Sequence, residues 1–133
     1  MERRPLIVLD THAWIWWAAE SPELSGVARA ALRDARRIGV CAISVWEVAM
    51  LVQKKRLVLD RDAALWTEQA LALARIELLP LSPEIAVRAA AEVDSTITDP
   101  ADRMIVATAI VHRGILVTKD ERLRISGSVP TVW

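Results

Sequence analysis

The strongest constraint on this chain is a repeated unit: a very short, wholly apolar run, a polar punctuation, then a stretch with helical spacing. Leu6-Ile7-Val8-Leu9 is the first run, and Asp10 ends it. A continuous apolar run that short marks a strand buried on both faces, as in a parallel sheet covered by helices. Val40-Cys41-Ala42-Ile43, residues 76–81 and Ile115-Leu116-Val117-Thr118 repeat the pattern, and residues 129–132 offer a short fifth strand. Helices are expected between them. One covers residues 11–19; another covers 25–37, with Val27, Ala28, Ala31 and Leu32 on one side. Ser44 is expected to cap a helix reaching about residue 55, with Glu47 in the pattern of a capping box. Asp60 or Asp62 opens a helix to about residue 75, and Ser82-Pro83-Glu84 opens one to about residue 93. Asp99-Pro100 starts a helix to His112, with Gly114 as its stop. Alternation of this kind implies βαβ units. The expected fold is α/β, a short parallel sheet of four or five strands flanked by helices in an α/β/α sandwich.

The 133 residues fit one domain, 1–133. Hydrophobic residues are 53% of the chain, enough for a packed core, and the excess points to an oligomer interface. Seventeen basic and seventeen acidic residues cancel, so bulk charge does not draw this protein to nucleic acid. Any such contact needs a local patch or a bound cation. Cys41 is the single cysteine, which excludes an intramolecular disulfide and suits a reducing cytoplasm. The start is basic, and the apolar run behind it is too short for a signal peptide or a membrane span. A cytoplasmic protein without a membrane partner is expected.

Ligands of such folds bind outside the carboxyl ends of the strands, and the acids fall there. Asp10 follows the first strand and Asp120 lies just past the fourth, while Asp99 and Asp102 open the helix before that strand. Glu47 sits in the first turn after the second strand, inside the almost wholly apolar segment from Ile43 to Val52. Each has a simpler reading as a helix cap or a dipole partner, and Asp120 suits the start of a short helix at 121–124. Together they are harder to dismiss. A carboxylate in an apolar segment is costly to bury unless paired or bound to a metal, and no Lys or Arg lies within four residues of Glu47. Clustered carboxylates raise one another's pKa values or hold a cation. Oxygen donors suit Mg²⁺ or Mn²⁺. Zinc does not fit, because His12, His112 and Cys41 are the only His and Cys residues.

The segments Val8-Leu-Asp-Thr-His-Ala-Trp14, Ser44-Val-Trp-Glu-Val-Ala49, Asp99-Pro-Ala-Asp-Arg-Met-Ile-Val-Ala-Thr-Ala109 and Val117-Thr-Lys-Asp120 resemble, in order, the four acidic motifs of the PIN-domain family. The nearest resemblance is to the VapC-type toxin ribonucleases of type II toxin–antitoxin pairs, whose ending is also similar to Val129-Pro-Thr-Val-Trp133. The resemblance implies Mg²⁺-dependent endonucleolytic cutting of RNA, a homodimer and an antitoxin that blocks the cleft. It implies that Asp10, Glu47, Asp102 and Asp120 are catalytic and hold metal, with Thr118 near the metal and Thr11 following the first acid. Near relatives often carry a histidine shortly before the Asp-Pro, whereas this chain has Asp94-Ser-Thr-Ile-Thr98, so the loop of the third motif is expected to differ.

Lys54, Lys119 and Arg103 are the cations placed to reach phosphate, each with a plain surface or helix-end reading beside it. Helical spacing is expected to turn His12 away from the cleft. Trp14 and Trp17 share a helix face and read as core or dimer packing. Ser44 has no plausible His–Asp relay, which disfavours a serine hydrolase. The rivals are a phosphoacceptor receiver, which wants its Asp at the end of a central strand and leaves Glu47 unexplained, and a non-catalytic acidic cleft binding a basic peptide. A dehalogenase-type phosphatase would want an acid at position 12, where this chain has His12.

Overall fold

The computed structural model describes residues 5–133; the basic start, residues 1–4, lies outside the described residues. In chain order the elements are β1 (Ile7–Leu9), α1 (Thr11–Ala18), α2 (Gly26–Asp34), β2 (Ile38–Cys41), α3 (Ala42–Gln53) and α4 (Ala63–Leu71). There follow β3 (Ile76–Leu79), α5 (Pro83–Ala91), α6 (Pro100–Val111), β4 (Ile115–Val117), α7 (Glu121–Ser126) and β5 (Thr131–Val132). The strands pair in parallel, in the order β3-β2-β1-β4-β5. β1 is therefore central, and the order of strands reverses at it. A crevice opens at such a reversal, because the connections on either side leave in opposite directions. Asp10 follows β1 at that point.

Alternating side chains divide the core into two layers. Ile7, Leu9, Ile38, Val40 and Val117 pack with Trp14, Leu32, Val48 and Trp66 on one face of the sheet. Leu6, Val8, Cys41, Leu79 and Leu116 pack with Ile85, Ile105, Val106 and Leu123 on the other. Each fully buried Leu, Ile or Val contributes about 1.5–3 kcal/mol. The two layers thus hold the short strands, and the loops at their carboxyl ends, in one frame. Trp14 is fully buried and meets Trp66 edge-on, with 4.9 Å between ring centroids. Trp17 is half-buried against the same layer.

Several boundaries differ from the sequence reading. β2 runs from Ile38 to Cys41 rather than 40–43, because Ile38 and Val40 pair with Ile7 and Leu9. Helix α3 therefore starts at Ala42 with Cys41 at its N-cap, so Ser44 is not a cap and Glu47 closes no capping box. Helix α2 ends at Asp34, where Ala35 turns extended, and Val27 faces solvent while Ala28 and Leu32 are buried. The third strand lies at the sheet edge, and the central strand that ends in an acid is β1, followed by Asp10, so the receiver rival fails on Glu47 and not on strand position.

Gly114 also has a different task from the expected helix stop. The left-handed residue after α6 is Arg113, at φ 53°. A Cβ on Gly114 would lie 2.7 Å from the Leu6 carbonyl oxygen and 3.2 Å from Val8 Cγ2, so glycine permits β4 to come in against β1. Backbone cannot yield as a side chain can. Gly114→Ala is expected to destabilise the fold by about 1–3 kcal/mol in urea unfolding. Gly39→Ala meets only the end of the Leu79 side chain and should cost less; the reverse ranking would refute this packing account.

Candidate active site

The caps that end the strands also place the acids. Asp10 is the N-cap of α1, and its Oδ1 accepts the Ala13 N–H at 2.8 Å. Its carboxyl also bonds the Thr118 hydroxyl, which is fully buried and accepts the Asp120 N–H at 3.0 Å. Asp120 in turn caps α7, accepting the Arg122 N–H at 2.9 Å. Asp99 caps α6 by accepting the Asp102 N–H at 2.9 Å, which fixes Asp102 in that helix's first turn. Glu47 comes from α3, where Thr11 Oγ1 donates to its Oε1 at 2.5 Å and lies 2.9 Å from the buried Ser44 Oγ.

Asp10, Glu47, Asp102 and Asp120 line one cleft of about 380 Å³, together with Thr11, His12, Trp16 and Lys119. Two larger cavities, of about 480 and 450 Å³, each hold a single carboxylate, Asp60 or Glu20. Chemistry rather than volume singles out the acidic cleft.

Its electrostatics are those of an uncompensated cluster. Burial, then the charges of Asp99, Glu47, Asp120 and Asp10, push the Asp102 carboxyl up to about 7. Burial raises Asp10 as well, against the opposing bonds from Thr118 and Ala13. Asp120 is held below the usual carboxylate range, mainly by Arg122, whose guanidinium lies 3.0 Å from Oδ2. Among the described residues no three His, Cys, Asp or Glu side chains converge closely enough to hold a metal ion as they stand. The partners explain the spread: Asp120 is turned to Arg122 and Glu47 to Thr11. The Arg122 pair is largely exposed on the arginine side and hence weak, so Asp120 can rotate away from it. An all-oxygen acidic donor set whose own repulsion disfavours full ionisation fits a hard divalent cation.

The supporting residues divide. Thr11 and Lys119 line the cleft, and Thr118, which is not among its lining residues, bonds the Asp10 carboxyl. Asp99 serves as a cap. Lys54 is the C-cap residue of α3 and does not line the cleft. Arg103 does not reach it either. Its guanidinium donates to the carbonyls of Ala89, Ala90, Val93, Asp94 and Ile97, closing the C-terminal end of α5 and the loop after it. Asp94 tightens that loop by accepting the Thr96 N–H at 2.8 Å. His12, expected to point away, lines the cleft and is exposed. Sequence reasoning passed over Trp16 and took Ser44 for a cap. The i,i+4 spacing of His12 and Trp16 on one helix face was the available signal for the first.

This is the architecture of a nuclease-like α/β domain with its acids at the switch point, and the chain belongs to the PIN-domain family, whose model matches residues 7–126. It is 40% identical over 118 residues to Ribonuclease VapC22 of Mycobacterium tuberculosis, covering 89% of each chain. Its fold is similar to that of VapBC2 from Rickettsia felis, bound to a DNA fragment from its promoter (TM-score 0.70, 16% identity, 95% of this chain and 96% of that one). It is also similar to a toxin–antitoxin complex from Klebsiella pneumoniae (TM-score 0.65, 21% identity, 92% and 94% covered). No helix among the described residues is long and apolar enough to cross a membrane.

The raised Asp102 carboxyl makes a signed prediction. The folded state holds that proton more tightly than the unfolded chain, so the stability it contributes is complete below about pH 4 and lost as pH rises through about 7. In EDTA at pH 8, Asp102→Asn should therefore be more stable than the parent by about 1–2 kcal/mol, discounted for partial solvation of the carboxyl. The difference should vanish near pH 4. Equal stability at both pH values, read by urea unfolding, would contradict the electrostatic account.

Proposed function

We propose that this chain is a Mg²⁺-dependent endoribonuclease, able to use Mn²⁺, and the toxin of a toxin–antitoxin pair held inactive by its antitoxin. The observation that carries this reading is the meeting of four carboxylates, delivered by four different elements, in one cleft at the switch point of the sheet. The 40% identity to a protein named as a ribonuclease supports the RNA substrate. The fold shared with solved toxin–antitoxin complexes supports an antitoxin partner; a homodimer in the cytoplasm is what the family resemblance implies.

Asp10, Asp102 and Asp120 would hold the ion, with Glu47 as a further ligand or as the group that orients water. When bound, the ion lowers the pKa of a coordinated water and offsets negative charge on the scissile phosphate. The protein's own contribution is alignment. Thr118 ties the Asp10 carboxyl to the backbone of Asp120, so the acids following β1 and β4 are set against each other. Thr11 fixes one oxygen of Glu47 and leaves the other for water. Lys119 is held only loosely, 3.6 Å from Glu23 with both side chains more than half exposed, and is free to turn to a flanking phosphate.

Digestion of RNA with and without Mg²⁺ tests the reading. Wild type should cleave internally, and EDTA should abolish cleavage. Asp10→Ala should lose about a hundredfold or more, since loss of an outer-shell partner alone typically costs about 10–100-fold. Thr118→Ala, which removes such a partner, should fall in that lower range. Tight RNA or peptide binding with no cleavage at any Mg²⁺ concentration would return the cleft to the rival reading of a pure binder.

A further inference from the structure

We propose that Ser44 is a positioning residue for the cleavage reaction: it supplies the proton that holds the Thr11 hydroxyl in place, and Thr11 in turn holds Glu47. The proposal rests on the ribonuclease reading above and adds to it a residue that lies outside the cleft lining.

A buried helical hydroxyl has an easy partner in the carbonyl one turn back. Thr108 takes it, donating to the Met104 carbonyl at 2.7 Å. Ser44 does not. It is fully buried in the first turn of α3, where Cys41 is the N-cap. Among the described residues its hydrogen-bond partner is Thr11, on α1. A proton count gives that bond its direction. Thr11 Oγ1 lies 2.9 Å from Ser44 Oγ and 2.5 Å from Glu47 Oε1, yet a hydroxyl carries one proton. The carboxylate is the nearer and the charged acceptor, so it takes the Thr11 proton. Thr11 then has none left for the contact with Ser44, and Ser44 must donate there. The chain runs one way, from Ser44 to Thr11 to Glu47.

The surrounding charges give this chain its task. Burial first, and then the charge of Glu47 among others, raises the Asp10 and Asp102 carboxyls, so Glu47 is repelled by both. A long acidic side chain under that force swings away unless it is held. Thr11 holds Oε1, which leaves Oε2 as the free oxygen. Threonine in a helix divides between two rotamers, however. A bond from Ser44 selects the one that turns Oγ1 toward α3. Each donor in such a series also polarises the next, strengthening its bond by about 10–30%. Thr11 directly follows Asp10, so the same chain ties the helix capped by Asp10 to the helix that carries Glu47. Burial of Thr11 and Ser44 keeps water from standing in for the serine. Thr11 and Glu47 line the cleft and Ser44 does not, so Ser44 acts through Thr11.

Two measurements test the relay. In the first, wild type, Ser44→Ala, Thr11→Val and the double variant cut RNA in saturating Mg²⁺. Ser44→Ala should lower kcat about tenfold with KM within about threefold, and Thr11→Val should lower kcat about 10–100-fold, as for a lost outer-shell partner. The double variant should match Thr11→Val, because Ser44 then has nothing to act through. Full kcat in Ser44→Ala, or losses that multiply in the double variant, overturns the proposal. Ser44→Ala leaves the Thr11 proton on Glu47 and orphans no buried donor, so urea unfolding should place it near wild type. A fold lost together with activity would make Ser44 a structural residue and overturn its positioning role. In the second, proton NMR of the metal-free protein follows the Thr11 hydroxyl, assigned by its absence in Thr11→Val. Wild type should show a downfield, slowly exchanging resonance, as a short bond to a carboxylate gives. Ser44→Ala should move it upfield and speed its exchange. No such resonance in wild type, or one that ignores Ser44→Ala, overturns the relay. The NMR needs neither metal nor RNA, so the two readings fail separately. A resonance that answers to Ser44 with no cleavage by wild type upholds the relay and sinks the nuclease, while Mg²⁺-dependent cleavage with an indifferent resonance does the opposite.

Discussion

Carboxylates repel one another when a fold gathers them, and this fold gathers four at the carboxyl end of a parallel sheet. The repulsion is visible in Asp102, which burial and its acidic neighbours hold half-protonated near neutral pH. Asp120 is the exception, held by its bond from Arg122. A chain with no use for such a cluster would relieve that repulsion by replacing one acid with a neutral residue. On the proposed reading, a divalent ion offsets that repulsion when the cleft works.

The fold meets that constraint by giving the acids two tasks. Asp10 and Asp120 each satisfy free N–H groups at a helix start, and Asp99 does the same while fixing the turn that presents Asp102. A capping bond holds a carboxylate at the first turn of a helix, where the dipole favours negative charge. The acids are thus partly stabilised by backbone before any ion arrives. Thr118 and Thr11 complete the arrangement from buried positions, one joining Asp10 to Asp120 and the other steadying Glu47. The two apolar layers keep these short elements in register, so the cleft inherits its geometry from the core.

Local chemistry made much of this legible in the sequence. The apolar runs at Leu6 to Leu9 and Ile115 to Val117 announced buried parallel strands. The Ser-Pro and Asp-Pro pairs announced the starts of α5 and α6, and the four acidic segments pointed to one cleft. What stayed hidden was set by contacts between distant segments. The register of β2 depends on pairing with β1, and it moved the start of α3 and turned Ser44 from a cap into a partner of Thr11. Gly114 is needed because of Leu6, a residue far away in the chain. Arg103 adjoins an acid in sequence but closes the end of α5 in space. Trp14 and Trp17 share a helix face by spacing, yet Trp16 reaches the cleft, because the position of Lys119 and Trp133 beside it follows from β4 and β5.

The central claim is that these carboxylates trap a divalent ion together. Calorimetric titration with Mn²⁺ at pH 6.5 and pH 8 addresses it directly. Wild type should bind the ion at both values and release protons at the lower one, because Asp102 must give up its proton to become a ligand. Asp10→Asn should abolish the binding heat, and Asp102→Asn should remove the proton release. Mn²⁺ binding of unchanged strength in both variants, with no proton released by wild type, would contradict the account.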